Sequence, residues 1–128
     1  MRSHSGPIEH GVAEVRITQV AFRDPPLLNA IGVHEPFALR AVIQVVTRSG
    51  YLGLGETNGD AAHVARLRSI ARSLVGLDIF NLNETLPEVR RVVAGGTNEA
   101  VRVMNGMVTT SNSSDRLFAP FEVASLDI

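Results

Sequence analysis

The most constraining feature of this sequence is a change in hydrophobic period near residue 60. Before it, three segments alternate apolar with polar residues or are rich in β-branched residues: residues 12–22, 37–47 and 51–56. After it, apolar residues recur at the three- and four-residue spacing of a helix. Strands that precede helices, rather than alternate with them, indicate an α+β fold. We therefore predict a three-stranded antiparallel β-meander followed by a small helical bundle.

Two helices are predicted directly after residue 60. The first spans residues 62–75 and ends at Gly76, because glycine commonly closes a helix. The second, shorter helix spans residues 83–92. The apolar side of the first is predicted to consist of Ala62, Ala65, Leu67, Ile70, Leu74 and Val75.

The last third of the chain predicts a helix, a loop and another helix. Thr97 and Asn98 could cap a helical stretch that runs to residue 104, and the serine-rich residues 108–115 indicate a loop. Residues 118–128 form an apolar helical pattern that no glycine closes, so the chain is expected to stop inside an element. The predicted organisation is a flexible leader over residues 1–11, then one domain over residues 12–128.

Residues 23–36, between the first two predicted strands, indicate a long irregular loop. Pro25, Pro26 and Pro36 exclude a regular strand or helix across this segment. Long loops in small domains are usually functional or disordered. Apolar residues within this loop favour packing over disorder, so the loop is a candidate binding segment.

Composition excludes several classes of protein. The 128 residues carry a formal net charge of -1, which provides no basic field for nucleic acid or a membrane surface. All 12 basic residues are arginine, and the absence of cysteine excludes disulfides and thiolate chemistry. No apolar run serves as a signal peptide, which favours a cytoplasmic location.

The remaining motifs carry little chemistry. Gly53, Gly55 and Gly59 resemble a phosphate-binding loop, but their spacing is wrong and the preceding strands form a hairpin. We expect these glycines to allow close backbone approach instead. His63 has no acidic or histidine partner four residues on, so it is predicted to be a surface residue and no metal motif is recognised.

Three stretches carry a resemblance to a known family. They are residues 24–30, residues 32–40, and Gly53-Leu54-Gly55-Glu56-Thr57. In this order they resemble the glucarate dehydratase branch of the enolase superfamily, in its mandelate racemase/muconate lactonizing group. Residues 121–127 are similar to the segment that leads into the barrel of those enzymes, so the resemblance spans nearly the whole chain.

The resemblance implies an N-terminal capping domain that precedes a (β/α) barrel and helps to choose the substrate. It implies that Asn29 and His34 contact a sugar diacid such as glucarate, with Thr109 or Thr110 as a further contact. The barrel would hold Mg²⁺ and the bases of a carbon–oxygen lyase. The family's base lysine has no counterpart here, because the chain has no lysine. We therefore expect no catalytic or metal-binding residue and no cofactor in this chain, and family members are often homo-oligomers.

Two alternatives to a capping domain remain open at this point. A stand-alone module could use the same loop to bind a small acid or a protein. A non-functional truncated piece would instead expose apolar surface and aggregate.

Overall fold

The computed structural model describes residues 9–23, 25, 28–29, 32–33, 36–95, 101–104, 107–110 and 114–128. Within these, side chains are described for residues 9–23, 25, 36–95 and 115–128. In chain order, the elements are β1 (Val12–Arg23), β2 (Leu28–Asn29), β3 (Gly32–Val33), β4 (Phe37–Thr47), β5 (Leu52–Asn58), α1 (Ala61–Leu74), α2 (Leu82–Ala94), β6 (Val101–Met104), β7 (Met107–Thr110) and α3 (Ser114–Leu126).

The predicted meander is confirmed. The three long strands form an antiparallel sheet in the order β1-β4-β5, and Ile43 of the central strand pairs with Ile17 on one side and Gly55 on the other. Alternate residues of β4 are buried, because they lie beneath the helices. The tight turn before β5 uses Gly50 at a φ of 89°, a left-handed conformation that favours glycine.

Helix α1 begins and ends at the residues that its sequence favours. The side chain of Asp60 accepts a hydrogen bond from the backbone N–H of His63, and Gly76 follows the helix at a φ of 91°. The prediction of its buried face was partly wrong, because Ala62, Ala65 and Val75 are exposed. The residues that face the sheet are His63, Val64, Leu67, Ile70, Ala71 and Leu74.

Helix α3 packs against β5 so closely that the two backbones are in contact. A Cβ atom at Gly53 would overlap the carbonyl oxygen of Ala124, and one at Gly55 would overlap that of Pro120. The backbone N–H of Leu54 donates a hydrogen bond to Oδ2 of Asp127 at 2.9 Å. Gly53 and Gly55 therefore allow the backbone of α3 to approach that of β5, as expected, because a larger residue at either position would leave no room for the helix.

One hydrophobic core joins the sheet to all three helices. Ile43 and Val45 of β4 pack with Leu67 and Ile70 of α1, and all four are fully buried. The other two helices contribute fully or almost fully buried residues, among them Val89, Leu117, Phe121 and Ala124. None of the helices in the described part of the chain is long and apolar enough to cross a membrane.

The sequence predictions for residues 97–115 were wrong in two places. Residues 101–104 and 107–110 form the two strands of an antiparallel hairpin, with Val101 paired to Thr110, where a helix and part of a loop were expected. Valine alternates with longer residues over positions 101–104, and this period of two indicates a strand. The cap signal at Thr97, which favoured a helix, was the weaker of the two. The last helix spans Ser114–Leu126, so it begins four residues earlier than predicted.

Candidate functional site

Five chain segments end or begin at one end of the sheet. The end of β1 lies beside the start of β4, because Arg23 pairs with Phe37. The end of β5 is there too, since Asn58 pairs with Arg40. Helix α1 begins three residues after β5. Helix α3 runs along β5 with Pro120 over Gly55 and Ala124 over Gly53, so its N-terminus points to the same end. We term this the loop end, because residues 24–36 connect β1 to β4 there.

The connection from β5 to α1 is held tightly across the loop end. The backbone N–H of Gly59 donates to the carbonyl of Leu39 at 3.0 Å, and Gln19 Nε2 donates to the carbonyl of Gly59 at 2.9 Å. A Cβ atom at Gly59 would lie 2.5 Å from the carbonyl oxygen of Arg40. A glycine is therefore required here. The hydrogen bonds fix the turn between β5 and α1 at the loop end.

His63 is a structural part of the loop end, contrary to the expectation of a surface residue. Its side chain is buried, and its Nε2 atom shares a hydrogen bond with Thr57 Oγ1 at 3.1 Å. Burial lowers the pKa of His63 below its usual value. Asp60 opposes this shift, whereas Arg116 and Arg66 add to it. The imidazole therefore favours its neutral form and joins the end of β5 to the first turn of α1. Its spacing of four residues from Leu67 and seven from Ile70, which places the three on one face of α1, was the sequence signal for burial.

The loop end brings positive groups and carboxylates together. Two helices, α1 and α3, direct their N-termini to it, and helix N-termini favour negative charge nearby. Part of that preference is already met by Asp60, which caps α1, and by Asp115 in the first turn of α3. Arg23 and Arg116 also lie there, at the end of β1 and the start of α3. On the sheet face away from the helices, Arg40 pairs with Glu56 at 2.6 Å and donates to Asn58 Oδ1 at 3.1 Å.

The structure places the predicted substrate contacts only in part. Asn29 is on β2, where its backbone pairs with Gly32, and Thr109 and Thr110 are on β7. The side chains of these three residues, and His34 as a whole, lie outside the described residues. Their meeting at the loop end therefore stays a prediction.

The described residues do not form a magnesium site. No three of their histidine, aspartate or glutamate side chains lie together as a metal would require. Several of the described carboxylates have other partners: Asp60 caps α1, Asp127 holds Leu54, and Glu56 pairs with Arg40.

Two exposed pairs of apolar residues lie near the loop end, one pair on each face of the β1–β4 hairpin. Val20 and Phe22 lie on the sheet face away from the helices, and Phe37 and Leu39 lie on the helix-side face beyond the reach of the helices. Their exposed fractions run from 39% to 56%. Clustered apolar exposure of this kind marks an interaction surface more often than scattered single residues do.

Comparison with known proteins identifies the class. No family model matches the sequence. A probable glucarate dehydratase from Streptomyces coelicolor is 34% identical over 120 residues, which are 91% of this chain and 28% of that protein. An enolase from Thermobispora bispora, crystallised with magnesium and formate, is 49% identical, with a TM-score of 0.81 over 92% of this chain and 28% of that one. An enolase from Mycobacterium smegmatis, crystallised with tartrate, is 45% identical, with a TM-score of 0.76 over 91% of this chain and 26% of that one.

The fold is therefore that of the N-terminal capping domain of enolase-type enzymes, a three-stranded meander followed by helices. In sequence and in fold, the chain matches the N-terminal part of enolase-superfamily enzymes, among them a probable glucarate dehydratase. It spans about 28% of the length of the glucarate dehydratase that it matches.

Proposed function

We propose that this chain is the substrate-specificity cap of a magnesium-dependent dehydratase for a sugar diacid such as glucarate. The observation that carries the proposal is the convergence of five chain segments at the loop end. The segment that bears Asn29 and His34 starts and finishes there. Two of the relatives support the substrate class, since one bears the name glucarate dehydratase and the other was crystallised with tartrate, a hydroxylated diacid.

The proposed contacts suit such a substrate chemically. A hydroxylated dianion requires directed hydrogen bonds to its hydroxyl groups and a positive potential at its carboxylates. The amide of Asn29, the imidazole of His34 and the hydroxyl of Thr109 or Thr110 would provide the hydrogen bonds. The helix N-termini and the arginines at the loop end would provide the potential.

We propose that catalysis itself belongs to a barrel domain and not to this chain. A carbon–oxygen lyase of this family needs Mg²⁺, and the described side chains do not bring together the carboxylates that would bind it. The apolar surface of Val20, Phe22, Phe37 and Leu39 would be covered by the barrel. The partners proposed for this chain are thus the barrel, a sugar diacid and, in the assembled enzyme, further copies of it.

A chimera tests this function. Residues 12–128 would replace the corresponding part of the Thermobispora bispora enolase, which matches this chain with a TM-score of 0.81 at 49% identity. With Mg²⁺ we expect turnover of glucarate. In the chimera, His34→Ala should lower kcat/KM about tenfold or more, which corresponds to the loss of a hydrogen bond to a charged or polyhydroxylated substrate.

Arg48→Ala is the matched control, because Arg48 is exposed in the turn at the opposite end of the sheet. The proposal is overturned if a folded, magnesium-loaded chimera turns over no sugar diacid, or if the two variants behave alike. Titration calorimetry of the chain alone with glucarate and Mg²⁺ addresses the binding-module alternative. We expect no heat of binding, since most of the site belongs to the barrel.

A further inference from the structure

The outer edge of β1 is open along most of its length. The strand lies at one side of the sheet, and its inner edge pairs with β4 throughout. On its outer edge, Val12 exchanges two hydrogen bonds with Gly76 and Leu77, at 2.8 and 2.9 Å. Among the described residues, no strand pairs with this edge beyond Val12. An unpaired strand edge offers a row of backbone donors and acceptors to another extended chain.

A groove runs beside this open edge, between β1 and α1. It has a volume of about 320 Å³. Its floor is mainly apolar, because Val15 and Ile17 of β1 meet Ala71 and Val75 of α1 there. Val75 is 50% exposed although it is a valine at the end of a packed helix. The groove lies away from the loop end, toward the middle and the far half of the sheet.

The rim of the groove is basic. Arg68 and Arg72 follow one another by one helical turn on α1, and both line the groove. No salt bridge joins either of them to an acidic side chain among the described residues. Arg72 donates to Ser69 Oγ at 3.3 Å. The acidic residue at the groove, Glu14, is already paired with Arg16 through two hydrogen bonds of 2.8 and 2.6 Å. The unneutralised charge at the rim is thus positive.

We propose that this groove binds an extended, acidic segment of a partner polypeptide, which adds to the sheet as a strand beside β1. The open edge would supply backbone hydrogen bonds. Alternate apolar side chains of the segment would reach the floor at Val15 and Ile17, and its carboxylates would pair with Arg68 and Arg72. This surface is independent of the proposed function, because it uses none of the residues at the loop end.

Charge argues against a second copy of this chain as the occupant. If two β1 strands paired about a two-fold axis, the two α1 helices would face each other across the seam. Arg68 and Arg72 of both copies would then approach one another, and like charges brought together oppose association. An acidic segment would instead be attracted to Arg68 and Arg72, because its carboxylates carry the opposite charge.

The test uses a short, fluorescently labelled peptide in which glutamate and valine alternate, and a second peptide in which lysine replaces glutamate. Fluorescence anisotropy would measure binding to the chain, and amide chemical shifts would locate it. We expect binding of the acidic peptide alone, with the largest shifts in β1 and α1. The charge-reversal pair Arg68→Glu/Arg72→Glu should weaken it about tenfold, because both attractive contacts become repulsive.

Arg90→Glu is the control, since Arg90 is exposed on α2 and outside the groove. Three outcomes would overturn the proposal: no binding of the acidic peptide, equal binding of both peptides, or affinity that Arg68→Glu/Arg72→Glu leaves unchanged. A dimer in light scattering that the charge reversal alters would also overturn it, because the occupant would then be a second copy. None of these outcomes bears on the cap, which the chimera tests separately.

Discussion

Two parts of the same strand differ completely in their surroundings. On the helix-side face of β4, Ala41, Ile43 and Val45 are fully buried, whereas Phe37 and Leu39 on that face are 55% and 56% exposed. The residue types are similar, and the strand is continuous. The difference is that helices α1 and α3 cover the first group and stop before the second. The buried part therefore stabilises this chain, whereas the exposed side chains of Phe37 and Leu39 add little to its stability.

The comparison separates two roles within one small domain. The packed half contains the glycines that admit α3 and the side chains that fill the core. The loop end contains Arg23 and Arg116, the N-termini of α1 and α3, and the segment with the proposed substrate contacts. The proposed role as a cap would require both, because a rigid base would have to hold an end that meets a substrate and a barrel.

The largest expected difference between the two regions comes from replacing one leucine by alanine in each. Leu67→Ala should lower the free energy of unfolding by about 2–5 kcal/mol, because it leaves a cavity in a fully buried position. Leu39→Ala should change it by no more than about 0.5 kcal/mol, because that side chain is already exposed. Urea unfolding of both variants measures the difference. Equal losses of unfolding free energy would show that Leu39 at the loop end is packed in solution as tightly as Leu67 in the core.

A second substitution tests whether the glycines of β5 are what allows α3 to pack against the sheet. Gly53→Ala should lower the free energy of unfolding by about 1–3 kcal/mol, at the upper end of that range, because the new methyl group overlaps backbone of α3. Gly95→Ala is the control, since its added Cβ would meet its nearest neighbours at ordinary distances of 3.6 and 3.7 Å. Thermal unfolding of the two variants makes the comparison. A stable Gly53→Ala variant would mean that α3 does not lie on β5 in solution.

The smallest expected effect lies at the boundary of the two regions, at His63. Its folded-state pKa is lowered by burial, so the unfolded chain binds the proton more readily. The stability that the neutral imidazole supports should be complete above about pH 6.5 and should fall as the pH drops through the lowered pKa.

Urea unfolding between pH 7.5 and pH 5.5, at about half-unit steps, measures this dependence. His63→Gln should flatten it, since glutamine keeps a hydrogen-bonding group near Thr57 without a charge change. Glu14 and Glu88, whose pKa values are lowered by their arginine partners, contribute only at more acidic pH. An unchanged slope in His63→Gln would show that the imidazole is not buried in solution.

Much of the meander and of the helix limits could be predicted, because those signals are local. Alternation predicts strands, and Gly76 marks the end of α1 because glycine readily adopts a left-handed conformation there. The orientation of α1 was predicted less well, since alanines occur on both sides of the helix and the pattern could not choose between them. The hairpin of β6 and β7 was missed because a short alternating run competed with a cap signal. Asn29 and His34 were reached only through resemblance.

The sequence alone was sufficient for the order of the three long strands and of α1 and α2, and for the turns at Gly50 and Gly76, because each depends on residues close together in the chain. Which apolar residues are covered depends on the tertiary structure. Phe37 and Ile43 carry similar local signals, but the length and placement of α1 and α3 bury one and leave the other exposed. It also decided that His63 is buried and that Arg68 and Arg72 flank an open strand edge. Such facts arise from contacts between distant segments, which local periodicity does not encode.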